Sequence, residues 1–257
     1  MLALISPAKK LDTENEPPLG DFTLPQLLDN SDKLVTAVRR LSKRRLKALM
    51  NLSDDLTELN HERYQRYSTP FTPSNAKQAV YMFRGDTYVG LDADTLSKDD
   101  LRYAQRHLHI LSGLYGVLRP LDLIQPYRLE MGSRLSTRRG RNLYAFWGSR
   151  PTDACNEATA SHENRTVVCL ASGEYIKAIQ PKKLAGPFVT CHFKEIRNGE
   201  PQTIGFIAKK ARGTMARFMI QNRVENVDDL KGFGEDGYSF EPGLSSDEDL
   251  VFVRDRQ

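Results

Sequence analysis

The sequence has little of what would assign a chain quickly. It contains only three cysteines, Cys155, Cys169 and Cys191, with no paired spacing. That excludes a disulfide-stapled scaffold and fits a reducing compartment. No apolar run approaches the roughly 20 residues that span a bilayer. The opening Met-Leu-Ala-Leu-Ile-Ser-Pro has no basic n-region and too short an apolar run for a signal peptide, so a cytoplasmic protein without a membrane partner is expected. No C-x-x-C, H-E-x-x-H, G-x-S-x-G or P-loop is present. The five histidines (His61, His107, His109, His162 and His192) are scattered. His107 and His109 would share one face of a strand, where satisfied histidines outnumber metal ligands. Cys191 and His192 are adjacent, so on a strand they point oppositely and form no nucleophile–base pair. No metal and no cofactor is expected.

What is present is a core and an uneven charge distribution. Hydrophobic residues make up 39% and charged residues 27% of 257. That is enough to bury a core without staples and too apolar for a wholly disordered chain. The net charge of +4 is small, but the basic residues are clustered. Lys33 to Lys47 holds seven basic and no acidic residues, Arg134 to Arg150 five and none, and Ile207 to Arg223 five and none. From Glu225 to Gln257 the balance reverses, with ten acidic and three basic residues. A solvated helix face is the ordinary explanation of any one run. Three acid-free runs together point to a polyanion partner, bound in a salt-dependent way.

Local patterns give a coarse order of elements. Leu2–Ile5 is a short apolar run stopped by Ser6-Pro7, as expected of a buried strand. Asp12 to Gly20, with Pro17-Pro18, reads as a loop. Leu24 to Asn51 carries helical spacing. Ser53-Asp54-Asp55 opens a further helix to about Tyr67, Thr72-Pro73 reads as a cap followed by proline at the first helical position, and Ser97 to Asp100 as a capping box. Strands are expected over His107–Leu111, Thr166–Leu170 and Val251–Val253. Phe188–Ile196 and Thr203–Ile207 flank Asn198-Gly199, a hairpin signal. Ala208 to Arg223 reads as a basic amphipathic helix. One mixed α/β domain over residues 1–257 follows.

Gly232-Phe-Gly234-Glu-Asp-Gly237 matches G-x-G-x-x-G, but an acidic stretch precedes it and no helix follows, so it is not a dinucleotide site. Leu230-Lys231-Gly232-Phe233-Gly234 also resembles the turn of a helix-hairpin-helix, in which backbone N–H groups face a phosphate and Phe233 anchors the turn. An ordinary glycine-rich turn is the competing reading. Asp55 to Asn60 is a second candidate that lacks the glycine. Lys209 and Arg212 are neighbours at helical spacing, and Lys210 and Arg217 fall on one stripe. Cations near a helix N-terminus are unfavourable unless an anion is near. Glu130 and Glu174 lie close in sequence to Arg128 and Lys177, where ion pairing is the simpler explanation.

Ile5-Ser-Pro-Ala-Lys9, Leu111-Ser-Gly-Leu-Tyr-Gly116, Arg119-Pro-Leu-Asp122, Tyr127-Arg-Leu-Glu-Met-Gly132, Tyr144-x-Phe-Trp147, Ala208-Lys-Lys-Ala-Arg-Gly213 and Asp236-Gly-Tyr238 occur in that order along nearly the whole chain. In these segments the sequence resembles the YaaA peroxide-stress family. The resemblance implies a bacterial cytosolic protein induced by hydrogen peroxide and protective against oxidative damage. It further implies a family-specific single-domain fold with a mixed sheet among helices, a positively charged cleft, a helix-hairpin-helix, binding of duplex or branched DNA, and an association with limiting free iron. Lys9, Arg128, Lys209, Lys210 and Arg212 fall in the shared segments and are the cleft candidates.

Two readings follow. In the first, Lys9, Arg128, Lys209, Lys210, Arg212 and Arg217, with Lys231, Gly232 and Gly234 of the hairpin, contact DNA phosphates without reading sequence, and Tyr127 and Trp147 are available to stack on bases. In the second, the same cations clamp a phosphorylated or nucleotide-like substrate while Glu130 or Glu174 acts as general acid or base. A deep pocket joining Lys9, Arg128, Glu130 and Lys209 would favour the second; an open groove lined only by cations would favour DNA. Direct iron binding lacks a ligand cluster.

Overall fold

The computed structural model describes residues 1–18 and 20–255. Leu19, inside the expected loop, and Arg256 and Gln257, at the end of the acid-rich tail, lie outside the described residues. The centre of the fold is strand β1, Leu2–Ile5, buried along its whole length. Four consecutive apolar residues suit a strand covered on both faces. β2 (Leu108–Ser112) lies parallel to it on one side, with Ala3 opposite Leu108, and carries the antiparallel β3 (Gly116–Leu118). On the other side β4 (Val167–Leu170) is parallel to β1, with Leu2 opposite Val167. Beyond it come β5 (Phe188–Arg197), its hairpin partner β6 (Glu200–Gln202), β7 (Ser239–Phe240) and β8 (Asp249–Asp255). The eight-stranded mixed sheet runs β7-β8-β5-β4-β1-β2-β3, with β6 beside β5. The parallel strands require long crossovers, and helices supply them.

The helices explain where the sequence pattern was right and where it was not. α1 (Leu28–Arg39) and α2 (Lys43–Met50) replace the single helix expected over residues 24–51. Ser42 sits in the extended region and its side chain accepts from Arg45 N–H, so it caps a new helix instead of continuing the old one. α3 (Asp54–Arg66) is capped by Ser53 as expected. Thr72-Pro73 opens no helix: the Asn75 side chain accepts from Thr72 N–H and closes a turn. After α4 (Asp86–Leu91) comes α5 (Lys98–His107), opened by a complete Ser97/Asp100 capping box. His107 therefore ends a helix and does not share a strand face with His109. Its ring stacks between Tyr103 and His162. The Asn198-Gly199 turn has φ of 53° and 80°, the positive pair a type I′ hairpin requires. α6 (Arg150–Ala158) precedes β4. The return strand is only the three residues of β6, because α7 (Gly205–Gln221) begins inside the stretch Thr203–Ile207 where the strand was expected.

α7 packs on β1, β4 and β5 and crosses α4. Two glycines make that crossing possible. A Cβ on Gly213 would stand 1.8 Å from the Thr87 carbonyl oxygen, and one on Gly90 2.1 Å from that of Lys210. No side chain fits such a backbone approach. The crossing fixes the rotation of α7 about its own axis, and so decides which of its cations face the carboxyl ends of the central strands.

Candidate functional site

From β1 the chain passes to β2 on one side and later returns to β4 on the other. The carboxyl ends of strands at such a switch of direction leave a crevice where open α/β sheets bind ligands. A cavity of ≈ 540 Å³ lies there. Its walls come from the segments after β1 (Ser6–Lys10) and β4 (Ser172–Tyr175), the stretch Tyr127–Glu130, the start of α4, and Lys209 and Arg212 of α7.

The wall behind this cavity is tightly tied. Ser6 Oγ accepts from Ser172 N–H at 2.9 Å. Tyr88 donates its hydroxyl to the Ser6 carbonyl at 3.2 Å, and the Tyr127 and Ser112 hydroxyls bond at 2.7 Å. Burial raises the pKa of both tyrosines, so they stay neutral. Glu130 is a hub: its Oε1 takes Arg128 Nε at 3.0 Å and Lys9 Nζ at 3.2 Å, while its buried Oε2 has no partner. Glu174 Oε1 accepts from Gly132 N–H at 2.8 Å. Six cations line the cavity (Lys9, Lys10, Arg84, Arg128, Lys209, Arg212) against three carboxylates (Asp86, Glu130, Glu174). Arg84 is held by Asp12 and Asp94, each at 3.1 Å. Among the described residues Lys209 and Arg212 have no hydrogen-bond or ion-pair partner, and the Arg212 Nε is buried. Burial pulls the Arg212 pKa down, without a carboxylate to oppose it.

The structure therefore brings Lys9, Arg128, Glu130, Glu174, Lys209 and Arg212 together and leaves the other candidates elsewhere. Lys210, next to Lys209 but turned away, pairs with Asp236 at 3.0 Å. Arg217 donates to the Leu91 and Asp92 carbonyls at 3.0 and 2.8 Å. Lys231 pairs with Asp228 at 2.6 Å. No helix-hairpin-helix forms around Gly232 and Gly234. Val227–Leu230 is a single turn, and Glu235–Gly237 is a 3-10 turn that leads into β7. Gly234 has φ of −129°, and the positive angles fall instead on Asp236 and Gly237. Phe233 is buried, as expected of an anchor. Asp55 to Asn60 is the interior of α3. Trp147 is wholly buried and donates to the Gly113 carbonyl at 3.0 Å, so it offers no stacking face.

The first two basic runs do not reach the cavity. Lys43 and Lys47 pair with Glu58 and Asp54, each at 2.6 Å, and Arg39 caps the carbonyls of Tyr64, Gln65 and Tyr67. Sequence reasoning missed Arg84, which a two-residue antiparallel pairing sets opposite Lys10, and Thr87 and Tyr88, which the first turn of α4 brings to the wall. It also missed Ser6, although Ser6 lies in a shared segment. Among the described residues no group of three or more His, Cys, Asp or Glu could hold a metal ion. All three thiols are buried and free, with pKa values pushed up by burial, to about 12 for Cys155 and about 11 for Cys169. No helix of the described residues is long and apolar enough to cross a membrane.

The fold and site define a mixed α/β protein with a cation-rich pocket at the carboxyl ends of its central strands. Residues 1–244 match the family model described as peroxide stress protein YaaA. A UPF0246 protein of Alteromonas mediterranea is 49% identical over 257 residues, covering 100% of this chain and 99% of that protein. A UPF0246 protein of Magnetococcus marinus is 52% identical over 254 residues, covering 99% of each. The chain belongs to the peroxide stress protein YaaA family.

Proposed function

We propose that this member of the peroxide-stress family binds a phosphate-bearing ligand in the pocket at the ends of β1 and β4, with Lys209 and Arg212 taking the phosphate. One observation carries the reading. The two cations stand a turn apart on the pocket wall, and neither has a carboxylate partner. A partly buried guanidinium without a counterion is destabilising by itself, and a bound anion removes the penalty. The joining of Lys9, Arg128, Glu130 and Lys209 in one cavity favours a phosphorylated or nucleotide-like group over a duplex lying along an open groove. Glu130 lines the same cavity and holds Lys9 and Arg128 beside it, so it orients two further cations toward such a ligand.

Thermal unfolding with and without millimolar inorganic phosphate or pyrophosphate tests this. Wild type should be stabilised as mass action requires, and Lys209→Ala with Arg212→Ala should abolish the shift. Lys210→Ala, outside the pocket, should leave it intact. No shift in wild type refutes the reading.

A second reading, DNA binding, is supported by the exposure of Lys9, Lys10 and Lys209 at the pocket. It no longer draws on a helix-hairpin-helix or on Lys210, Arg217 and Lys231. Its test is the salt dependence of duplex and branched DNA binding. Each lost phosphate contact should flatten the slope by about 0.9. Lys9→Ala and Lys209→Ala should each do so, and Lys231→Ala should not.

A further inference from the structure

We infer that the ligand of this pocket is a phosphate ester that also carries a cationic group, its phosphate on Lys209 and Arg212 and its cation on the Asp86 carboxylate. This rests on the phosphate reading above and adds the chemistry of the rest of the ligand.

Asp86 lines the same cavity as the two cations and is exposed. Its side chain makes no hydrogen bond and no ion pair among the described residues. Its place at the start of α4 does not employ it either, since that helix end has no side-chain cap. The other two carboxylates of the cavity are occupied, Glu130 by Lys9 and Arg128 and Glu174 by the Gly132 N–H. A ligand that enters therefore meets one free carboxylate and the two free cations of α7. For a bare phosphate Asp86 is a repulsive neighbour, and a site built for phosphate alone would gain by losing it.

The backbone holds these opposite charges apart. An antiparallel pairing sets Arg84 opposite Lys10 and delivers the chain to Gly85 and Asp86. Gly85 has φ of 151°, and a Cβ there would come within 3.3 Å of the Ala8 side chain, so the loop after β1 packs directly on it. On the other side α4 and α7 touch backbone to backbone at Gly90 and Gly213. The two helices have no room to shift, and Asp86 and Arg212 stay unpaired across the cavity they share. Fixed, unpaired charges of opposite sign are complementary to a ligand that bears both.

The field has a direction as well. Asp86 also lines a second cavity, of ≈ 850 Å³, which adjoins the first along Lys10, Arg84 and Tyr88. There Asp12, Glu14, Asp92 and Asp94 join Asp86 against Lys10 and Arg84 alone. Cations predominate in the first cavity and carboxylates in the second, and Asp86 stands where the sign changes. A ligand with its phosphate toward α7 and its cation toward Asp86 lies along that gradient, and the reverse orientation sets both ends against it.

Calorimetric titration of the whole chain tests this. The probes are inorganic phosphate, the aminoethyl, aminopropyl and aminobutyl phosphates, and the ethyl, propyl and butyl phosphates that match them without the amine. At least one aminoalkyl phosphate should bind about fivefold or more tightly than its alkyl counterpart, the advantage of one ion pair at an exposed carboxylate. Asp86→Asn should erase that preference, weakening the aminoalkyl phosphates while tightening the alkyl ones. Changes of opposite sign for two ligands of one site do not arise from a loss of folding. Lys209→Ala should weaken both series alike. Equal affinity for the two series, or an amine preference that survives in Asp86→Asn, overturns the inference but spares the phosphate site. Failure of every phosphate compound to bind removes the site itself.

Discussion

Replacing Arg212 by Met should stabilise the ligand-free protein while destroying its ligand response. The guanidinium is partly buried in the pocket wall, its Nε is bonded to nothing, and no carboxylate faces it. Methionine keeps most of the apolar stem and has nearly the helix propensity of arginine. The substitution therefore removes little besides an unsatisfied charged donor. A buried donor without a partner costs about 1–3 kcal/mol, and the partial exposure of the Arg212 side chain places it at the low end. Relief of its repulsion with Lys209, one turn earlier on α7, adds a few tenths of a kcal/mol. A net gain of about 1 kcal/mol corresponds to roughly 2–4 °C in Tm for a chain of this size. The assay is thermal unfolding in a phosphate-free buffer, repeated with millimolar phosphate. Wild type should rise on addition of phosphate and the variant should not. A variant that melts several degrees lower without phosphate, or responds to phosphate as wild type does, refutes the reasoning.

Gly213→Ala should destabilise by about 3 kcal/mol, the upper part of the overpacking range, because its Cβ would meet the Thr87 carbonyl at 1.8 Å. The urea midpoint reads this directly, and an unchanged midpoint would show that the α4–α7 crossing is looser than described. The thiols should be nearly inert in the native state. A rise from 9.0 to about 11 leaves Cys169 about a hundredfold less thiolate than an exposed cysteine at pH 8. Titration with an aromatic disulfide reagent should therefore show no rapid phase until denaturant is added. A fast phase in native protein would contradict the burial of all three.

Parts of this architecture are legible in the sequence because a local cause suffices. The apolar tetrads Leu2–Ile5 and Val167–Leu170 are strands because nothing else buries four consecutive apolar side chains so simply. Ser97 and Asp100 announce α5 because capping is decided within four residues. Longer-range causes are not visible. The break at Ser42 and the turn at Thr72-Pro73 depend on which of two local hydrogen-bond options the surroundings favour. The site shows the same limit. Lys209 and Lys210 are adjacent and chemically alike, yet only Lys209 faces the cavity, since the glycine crossing at Gly90 and Gly213 sets the rotation of α7. The basic run on α2 looked free because its neutralising acids, Asp54 and Glu58, lie on the next helix.

The position of β1 has a consequence for how the chain reaches this state. Its partners, Leu108–Ser112 and Val167–Leu170, lie more than a hundred residues downstream. At about 5–20 residues per second, the ribosome needs roughly 10–30 s to supply the second of them. For that interval the strand destined for the middle of the sheet is an unpaired apolar segment, and no local contact relieves it. High contact order of this kind slows folding and exposes nascent chains to aggregation. Refolding yield from denaturant should accordingly fall as protein concentration rises, and chaperones that shield early apolar segments should restore it.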